Sequence, residues 1–379
     1  MDLNLDQISI VWLIISGLFI ASFLVQVFYY LYFFVRISLG RRDTPETAGQ
    51  KPVSIIICAR NESENLEINL PLIMEQDYPE FEVIVVNDCS DDGTEQLLDR
   101  LKSRYNNLRS TIIKKDDKFR HGKKLALTIG LKCARYGRVL LTDADCRPAG
   151  PLWITLMQRH FAHPVDIVLG YGRYQKEKGL LNTIIRFDTF FIAMQYISFA
   201  LAGVPYMGVG RNLAYRRKLF FESRGFATHL KLESGDDDLF INEVATRNNT
   251  AVEYSPPAHT YSIPRRTWKE WYRQKCRHLT TGHHYKGGIK FLLALENTSR
   301  LLFYILFLLL LINKIFLFWI LGFFLVRLII STIVLNSAMN RLDEKNLLIF
   351  SPFYDIGILL FNIFCLVNNL FTQKRSKWG

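Results

Sequence analysis

Acidic residues cluster at three places in the sequence where they could bind a metal ion or transfer a proton. Asp143-Ala144-Asp145 carries two carboxylates two residues apart, directly after the apolar run Arg138–Thr142. If the chain stays extended there, both side chains face the same side and can share one ion. Carboxylate oxygens suit Mg²⁺ or Mn²⁺, and such an ion usually completes its coordination shell with water and a substrate phosphate.

The other two clusters suit proton transfer and nucleoside binding. The run Asp236–Asp238 sets three carboxylates side by side, and their repulsion favours a raised pKa in at least one of them, as a general base requires. The loop Asn87–Thr94 places Asp88 after another apolar run, where it could accept hydrogen bonds from a base or a ribose. Each cluster also has a simpler explanation, because a strand-ending turn or an acidic helix start would use the same residues.

These clusters need a framework that brings the ends of several strands together. Between residues 53 and 142, short apolar runs typical of buried strands alternate with segments of helical spacing. The predicted strands are Val53–Ala59, Phe81–Asn87, Thr111–Lys114 and Arg138–Thr142, and the predicted helices are Glu64–Glu75, Thr94–Tyr105 and Lys123–Tyr136. This alternation predicts an α/β fold with a mostly parallel sheet and with ligands at the carboxyl ends of its strands.

Composition excludes several classes of protein. The 379 residues are 49% hydrophobic, which excludes a disordered chain. Six cysteines without a CxxC pair exclude a disulfide scaffold. The net charge of +12 is largely local, since Arg265–Lys290 holds eight Lys or Arg residues and one Glu. A basic segment of this kind suits anionic headgroups and a diphosphate, and we expect no nucleic-acid partner.

Apolar segments at both ends of the chain predict an integral membrane protein. Four of them are nearly free of charge, as transmembrane helices are: Ile8–Val35, Leu301–Ile312, Ile315–Leu335 and Leu347–Phe371. Arg36, Arg41 and Arg42 after the first segment place the next domain in the cytoplasm by the positive-inside rule. The predicted domains are an N-terminal membrane anchor at 1–45, a catalytic domain at 46–290 and a C-terminal membrane domain at 291–379.

Two helical segments have an uncertain relation to the membrane. If the last segment crossed, Lys374, Arg375 and Lys377 would lie outside, against the charge rule. A break at Ser351-Pro352 would instead make that segment re-entrant or interfacial. Leu180–Val204 is amphipathic, which has two interpretations. It is either an interfacial helix beside an acceptor channel or an ordinary core helix.

Taken in order, the motifs resemble those of the family 2 inverting glycosyltransferases, which have a GT-A fold and membrane helices. Cellulose, hyaluronan and chitin synthases and ceramide glucosyltransferase belong to that family. The matching motifs are Ile57-Cys58-Ala59-Arg60-Asn61-Glu62, Val86-Asn87-Asp88-Cys89-Ser90-Asp91-Asp92-Gly93-Thr94, Gly122-Lys123, Asp143-Ala144-Asp145 and Gly235-Asp236-Asp237. The resemblance covers about residues 50–290 and the membrane layout, and it implies a GT-A, Rossmann-like catalytic domain.

The resemblance implies a donor site for a nucleoside-diphosphate sugar carrying UDP or GDP. In it, Asp88 would contact the nucleoside, Lys123 would approach the phosphates and Arg277 would pair with the departing diphosphate. The metal ion would be Mg²⁺ or Mn²⁺ and would neutralise the leaving group. The implied donor-side residues are Ala59, Glu62, Asp88, Lys123, Asp143, Gln274 and Arg277, and the implied metal ligands are Asp143 and Asp145.

On the acceptor side, the resemblance implies one inverting displacement in which an Asp takes the proton of the attacking hydroxyl. Two alignments of the acidic run select Asp237 or Asp236 as this base, with a slight preference for Asp237. The family motif Q-x-x-R-W has His278 in place of its Trp, which argues against processive polymer synthesis. We therefore expect transfer of a hexose to a lipid-linked acceptor.

The sequence also leaves other functions open. A processive polysaccharide synthase would use the same motifs with a saccharide acceptor. A membrane-anchored, metal-dependent phosphohydrolase or a non-catalytic lipid-binding protein would explain only part of the pattern. The expected location is a bacterial inner membrane with the catalytic domain in the cytoplasm, in contact with membrane lipids, and homo-oligomerisation is left open.

Overall fold

The computed structural model describes residues 10–40, 50–114, 122–230, 232 and 234–371. The basic residues Arg41, Arg42, Lys374, Arg375 and Lys377, on which the predicted topology depends in part, lie outside the described residues. The strands are β1 Val53–Ala59, β2 Phe81–Asp88, β3 Leu108–Ile113, β4 Arg138–Asp143, β5 Cys146–Pro148, β6 Ile167–Gly170, β7 Gly172–Tyr174, β8 Leu213–Arg216, β9 Thr250–Glu253 and β10 Thr260–Ser262.

The helices of the described residues fall into two groups, which we name the catalytic domain and the membrane block after the predicted domains. Those of the membrane block are α1 Ile10–Phe28, α2 Arg36–Leu39, α11 Gly287–Ile312, α12 Leu317–Arg341 and α13 Ser351–Phe371. Those of the catalytic domain are α3 Ser63–Met74, α4 Thr94–Arg104, α5 Lys123–Cys133, α6 Trp153–Gln158, α7 Leu180–Leu201, α8 Arg217–Glu222, α9 Asp238–Val244 and α10 Trp268–Leu279.

A seven-stranded sheet in the order β3-β2-β1-β4-β8-β6-β9 forms the centre of the catalytic domain. The four predicted strands occupy its first four positions and run parallel to one another. Strand β8 is antiparallel to both of its neighbours. The carboxyl ends of β2, β1 and β4 therefore meet at one edge, as the alternation of strands and helices predicted.

Two apolar cores cover the two faces of this sheet. One core joins alternate sheet residues to α3, α4 and α6. The other joins the opposite face, including Ile56 and Val86, to α7 and then to Tyr30 and Leu335 of the membrane block. Because this second core is continuous, the sheet and the membrane helices are packed as one body.

Helix α7 packs as a core helix, one of the two interpretations of Leu180–Val204, and its position relative to a membrane stays a prediction. Most of its residues are buried. Phe187 and Phe190 pack in the same core as the sheet, and Tyr196 donates a hydrogen bond to the carbonyl of Gly170 at 2.6 Å. Apolar contacts within the protein thus account for much of the hydrophobicity of this helix.

Five helical segments are long and apolar enough to cross a membrane, among the described residues, and α7 is one of them. In the first segment, a π-helical stretch, Tyr29–Phe34, continues α1 to α2. The prediction that the second span begins at Leu301 misses the start of its helix, since α11 already begins at Gly287. Its first half carries polar residues among apolar ones, and one of them, Glu296, is only 1% exposed.

A buried polar cluster joins the four long membrane helices. Asp355 of α13 pairs with Arg300 of α11 at 3.0 Å and with Arg327 of α12 at 2.8 Å. Arg327 also donates to Gln26 of α1 at 2.9 Å, and Arg300 lies 3.4 Å from Glu296. Charges buried in this way must be paired, so the cluster ties the first half of α13 to the other helices.

The second half of α13 packs against the catalytic domain. Phe361 stacks on Trp271 of α10 with ring centroids 4.5 Å apart. Further along, Asn369 donates to the carbonyl of Cys276 at 2.8 Å. Nearer its start, Tyr354 contacts Phe187 of α7. Helix α13 thus touches catalytic-domain helices near both of its ends.

Candidate active site

The ends of three parallel strands assemble the predicted donor residues at one sheet edge. Ala59 ends β1 and is buried, Asp88 ends β2 and is buried, and Asp143 ends β4 and is partly exposed. The register places Cys58 opposite Asp143 and Ala59 opposite Asn87. The parallel pairing therefore brings these residues, which are far apart in sequence, to the same edge.

The loop after β2 is held by hydrogen bonds to the loop after β1. Asp92 accepts hydrogen bonds from the backbone N–H of Ser63 at 2.9 Å and of Thr94 at 3.1 Å. Asn61 N–H donates to Ser90 Oγ at 2.9 Å, and Gly93 has a left-handed φ of 87°. The simpler explanation, an acidic helix start, thus applies to Asp92.

Glu62, one of the predicted donor-side residues, lies within reach of the charges of Asp143 and Asp145. It is half-buried and accepts a hydrogen bond from Asn65 Nδ2 at 2.6 Å. Burial raises its pKa, and the negative charges of Asp145 and Asp143 add to that effect, while Asn65 and Arg265 oppose it. The structure therefore brings Glu62 into the electrostatic field of the DxD carboxylates.

Asp143, Asp145 and Cys146 form a group whose ligand atoms lie within 4.8 Å of one another. The predicted reason for this grouping is wrong: β4 ends at Asp143, and Asp145 lies in the two-residue turn before β5, not on extended chain. The turn nevertheless brings both carboxylates together. Burial keeps the pKa of the Cys146 thiol well above its usual value, so the two carboxylates are the groups that fit a hard divalent cation.

Lys123 connects the predicted metal ligands Asp143 and Asp145, named here the metal pair, to the acidic run Asp236–Asp238. Its Nζ lies 2.8 Å from Asp143 Oδ1 and 3.2 Å from Asp236 Oδ2. Burial alone would lower the pKa of Lys123, but the carboxylates of Asp143 and Asp236 raise it well above its usual value. Lys123 is therefore a permanent cation between the two clusters, beside the predicted phosphate position.

The three adjacent carboxylates have three different environments. Asp236 pairs with Lys123, Asp237 Oδ2 accepts the N–H of Gly210 at 2.6 Å, and Asp238 Oδ2 accepts the hydroxyls of Thr281 and Tyr285. Asp238 is buried, whereas Asp236 and Asp237 are partly exposed. The three carboxylates therefore differ in their hydrogen-bond partners and in their exposure to solvent.

Their pKa values diverge accordingly. Burial raises the pKa of Asp237 to about 7, and the charges of Asp236 and Asp238 contribute to the rise. Burial acts on Asp236 too, but the cation of Lys123 outweighs it and lowers that pKa. Burial also raises the pKa of Asp238, so the predicted raised pKa occurs at two positions of the acidic run. Of these two carboxylates, Asp237 is the one that is partly exposed, as a base that meets a substrate must be.

Helix α10 brings the Gln-x-x-Arg segment to the cleft. Gln274 Nε2 donates to the hydroxyl of Tyr174 at 3.2 Å. Arg277 is half-buried and His278 is exposed one residue further on. Lys275, which belongs to the basic segment, is buried in an ion pair with Asp188 of α7 at 2.6 Å, so this part of the basic charge holds α10 in place.

Sequence reasoning missed residues of the segment before β8. The Cβ of any larger residue at Gly210 would lie 3.3 Å from Lys123 Nζ and 3.5 Å from Asp237 Oδ2. Arg211 stacks over Tyr174, with 4.5 Å from its guanidinium carbon to the ring centroid. The one available signal was the sequence Gly208-Val209-Gly210-Arg211 between two apolar runs.

Comparison with known proteins agrees with this geometry. A family model described as glycosyl transferase family 2 matches residues 54–222. The chain is 25% identical over 236 residues to the probable glycosyltransferase YdaM of Bacillus subtilis (strain 168), covering 59% of this chain and 54% of the relative. It is 30% identical over 125 residues to a poly-β-1,6-N-acetyl-D-glucosamine synthase of Staphylococcus epidermidis, covering 30% of this chain and 27% of the relative. The matches therefore span about half, or less, of these relatives' lengths.

A solved structure extends the likeness to nearly the whole chain. The mannosyltransferase PcManGT from Pyrobaculum calidifontis, in complex with GDP-Man and Mn²⁺, superposes with a TM-score of 0.62 at 21% identity. The superposition covers 95% of this chain and 98% of that one. At this identity it shows a common fold, including the membrane block. The family match and the common fold thus make this chain similar to the family 2 glycosyltransferases, with an α/β domain of the GT-A type.

Proposed function

We propose that the protein is a glycosyltransferase that moves a hexosyl group from a nucleoside-diphosphate sugar to a hydroxyl of a lipid-linked acceptor, with inversion at the anomeric carbon. The observation that carries the proposal is the Lys123 bridge. It places the DxD carboxylates and the Asp236–Asp238 run in one cleft, with one cation in contact with both clusters. Such a displacement needs two carboxylates that can hold one metal ion and, beside them, a carboxylate whose pKa lies near 7.

On the donor side, Asp88 and Ala59 line the nucleoside pocket at the ends of β2 and β1, with Glu62 between that pocket and the DxD pair. Asp143 and Asp145 would hold Mg²⁺ or Mn²⁺, which supplies charge neutralisation for the departing diphosphate. The PcManGT complex contains Mn²⁺ and GDP-Man, which supports a divalent ion and a nucleotide sugar. Lys123 would contribute the second positive charge.

On the acceptor side, Asp237 accepts the proton of the attacking hydroxyl. The hydroxyl oxygen forms a bond to the anomeric carbon while the bond from that carbon to the β-phosphate oxygen breaks. The electron pair of the broken bond leaves with the nucleoside diphosphate. Gly210 N–H donates to Asp237 and orients its carboxylate, and Asp236 stays ionised beside Lys123.

We further propose that α1, α11 and α12 cross the membrane and that α13 lies at its cytoplasmic surface. Contacts of α13 with α7 and α10 near both of its ends support this placement. Apolar side chains of α13, such as Phe353 and Phe364, are exposed and suit contact with lipid. With three crossings, the basic residues after α13 remain on the cytoplasmic side, in agreement with the charge rule.

A processive synthase is the second candidate. The matches to poly-β-1,6-N-acetyl-D-glucosamine synthases favour it. His278 and a block of only a few crossing helices support the lipid-linked acceptor instead. Radiolabelled donors incubated with protein and total membrane lipid separate the two: label in the organic phase supports a lipid product, and label in a large water-soluble polymer supports the synthase.

The activity itself is tested with a panel of UDP- and GDP-sugars and Mn²⁺ or Mg²⁺. Wild-type protein should bind or slowly hydrolyse one donor in a metal-dependent manner, and the double variant Asp143→Ala, Asp145→Ala should lose this. Asp99→Ala is the control, because Asp99 is exposed on α4. Absence of metal-dependent binding to every donor by the wild type would refute the proposed function.

The membrane placement is tested by labelling single cysteines with an impermeant maleimide from outside. A cysteine at Asn313, in the loop between α11 and α12, should be labelled, and a cysteine at Lys374 should be protected until the membrane is permeabilised. The wild type measures the background of the native cysteines. External labelling at Lys374 would mean that α13 crosses.

A further inference from the structure

Arg211 lies in the cleft and has no part in the reaction described above. It is half-buried, and its Nη1 donates to Ser262 Oγ at 3.4 Å. The face of its guanidinium lies over Tyr174, 4.5 Å from the ring centroid. No carboxylate in the described part of the chain lies within 4.0 Å of its nitrogens. A guanidinium held flat by a ring and lacking an ion-pair partner is suited to bind a planar or tetrahedral anion.

The electrostatic surroundings of Arg211 belong to the reaction centre. Its positive charge acts on Asp145, where it opposes the effects of burial and of Asp143 on that pKa. The backbone carbonyl of Arg211 accepts the hydroxyls of Thr142 and Thr260. The arginine is therefore fixed beside the DxD pair by its backbone, its stacking and its side-chain hydrogen bond.

Strand order places Arg211 on the acceptor side of the metal pair. Along the sheet edge, nucleoside residues follow β2 and β1, the metal pair follows β4, and Arg211 precedes β8, the next strand. Its stacking partner Tyr174 accepts from Gln274 of α10 and packs with Trp271, on which α13 docks. Contacts through Tyr174 and Trp271 thus link Arg211 to α13, the helix proposed to lie at the membrane surface.

Asp237 and Arg211 together define the chemistry of an acceptor. Gly210, which donates to Asp237, is directly bonded to Arg211. A base is needed for a hydroxyl nucleophile, whereas an ionised phosphate oxygen has no proton to lose. We propose that the acceptor is an anionic lipid that presents a hydroxyl to Asp237 and an adjacent phosphate to Arg211. This inference rests on the proposed function and narrows its acceptor to phosphate-bearing lipids.

The transfer step leaves the acceptor phosphate unchanged. The hydroxyl oxygen bonds to the anomeric carbon, its proton goes to Asp237, and the bond to the donor's β-phosphate oxygen breaks with its electrons. Arg211 neutralises the acceptor phosphate so that it can lie near the diphosphate. The same guanidinium could instead hold the leaving diphosphate, since both are phosphates, and the experiment must separate these two sources.

The test begins with the class of acceptor. Membrane lipids are separated by anion exchange into anionic and neutral fractions, and each is incubated with protein, Mn²⁺ and radiolabelled donors; phosphatidylglycerol and diacylglycerol with the same acyl chains serve as a defined pair. Transfer in the anionic fraction only is expected. Transfer to neutral lipid alone would overturn the inference while leaving the proposed function intact, and absence of donor binding would instead refute the proposed function.

The second part assigns Arg211. We expect Arg211→Gln to raise the KM for the anionic acceptor about 10- to 100-fold, as loss of charged hydrogen bonds does, and Arg211→Lys to restore part of it. Binding of UDP or GDP with Mn²⁺, measured by calorimetry, should stay within twofold of the wild type. Arg104→Gln is the matched control, because Arg104 also stacks on a tyrosine but lies exposed on α4.

Two results would overturn the assignment. If Arg211→Gln weakens nucleotide binding as much as it raises the acceptor KM, the guanidinium holds the leaving diphosphate. If neither quantity changes relative to Arg104→Gln, Arg211 binds no phosphate. Thermal unfolding of each purified variant establishes that a loss reflects the site and not the fold, and Arg211→Lys supplies a second folded variant if Arg211→Gln fails to fold.

Discussion

The sharpest consequence of the site's electrostatics is that Asp237→Asn should abolish transfer and stabilise the protein. Burial and the neighbouring carboxylates raise the pKa of Asp237 from 3.8 to about 7. The folded state therefore favours the protonated acid, and this contribution to stability is complete below pH 3.8 and is lost progressively as the pH rises from 3.8 through 7. Asparagine mimics the neutral acid at every pH and can still accept from Gly210 N–H.

The size of the expected stabilisation follows from the shift in the pKa of Asp237. About three pKa units at 1.36 kcal/mol each give an upper limit of about 4 kcal/mol at pH 8. Partial exposure and relaxation reduce this, so we expect about 1–3 kcal/mol, which is a rise in Tm of several degrees for a chain of this size. At pH 5 the folded acid is neutral but the unfolded chain already ionises this residue, so about 1.2 of the 3.2 pKa units have been lost, and the difference in Tm should be less than half of that at pH 8.

The assay is thermal unfolding of the purified, donor-free protein in nanodiscs at pH 5 and pH 8, with donor turnover measured in parallel. Asp99→Asn serves as the control, because Asp99 is exposed and its change should leave both quantities unaltered. A Tm of Asp237→Asn at or below that of the wild type at pH 8 would refute the electrostatic reasoning. Full turnover by Asp237→Asn would remove Asp237 as the base.

Three further predictions follow from named contacts. Asp143→Asn should weaken Mn²⁺-dependent nucleotide binding about 10-fold or more, measured by calorimetry, since it removes one of two carboxylates. Asp355→Asn should destabilise the membrane block by about 3–5 kcal/mol, seen as a lower Tm in nanodiscs, because Arg300 and Arg327 lose their shared partner. Glu344→Gln should lower Tm similarly, because buried Glu344 pairs with Arg186 at 2.5 Å and with Arg173 at 3.2 Å; an unchanged Tm in either variant would contradict the pairing.

The sequence predicts the core of the catalytic domain well because its signals are local. Strand β1 has the predicted bounds Val53–Ala59, and the other predicted strands differ by a few residues at their ends. Runs of β-branched residues that end in polar residues define such strands without long-range information. The grouping of the DxD carboxylates was also expected, although the turn at Asp145 and not an extended strand produces it.

Features that depend on distant partners were not predictable in the same way. The start of α11 was missed because Glu296 and Arg300 are polar in sequence, and Asp355, the second partner of Arg300, lies more than 50 residues later. The role proposed for Arg211 depends on Tyr174 and Ser262, which come from two other segments. Spacing along the chain carries no information about such contacts.

The acidic run shows why the choice between Asp236 and Asp237 could not be made from sequence. The sequence supplies three equal carboxylates, and mutual repulsion alone would raise the pKa of each. Lys123, which is more than 100 residues away in the chain, breaks this equality by pairing with Asp236 at 3.2 Å. Thr281 and Tyr285 satisfy Asp238 from the segment that follows α10. Asp237 has neither a cation partner nor hydroxyl donors among the described contacts, so its proton affinity stays high and it remains available to a substrate hydroxyl.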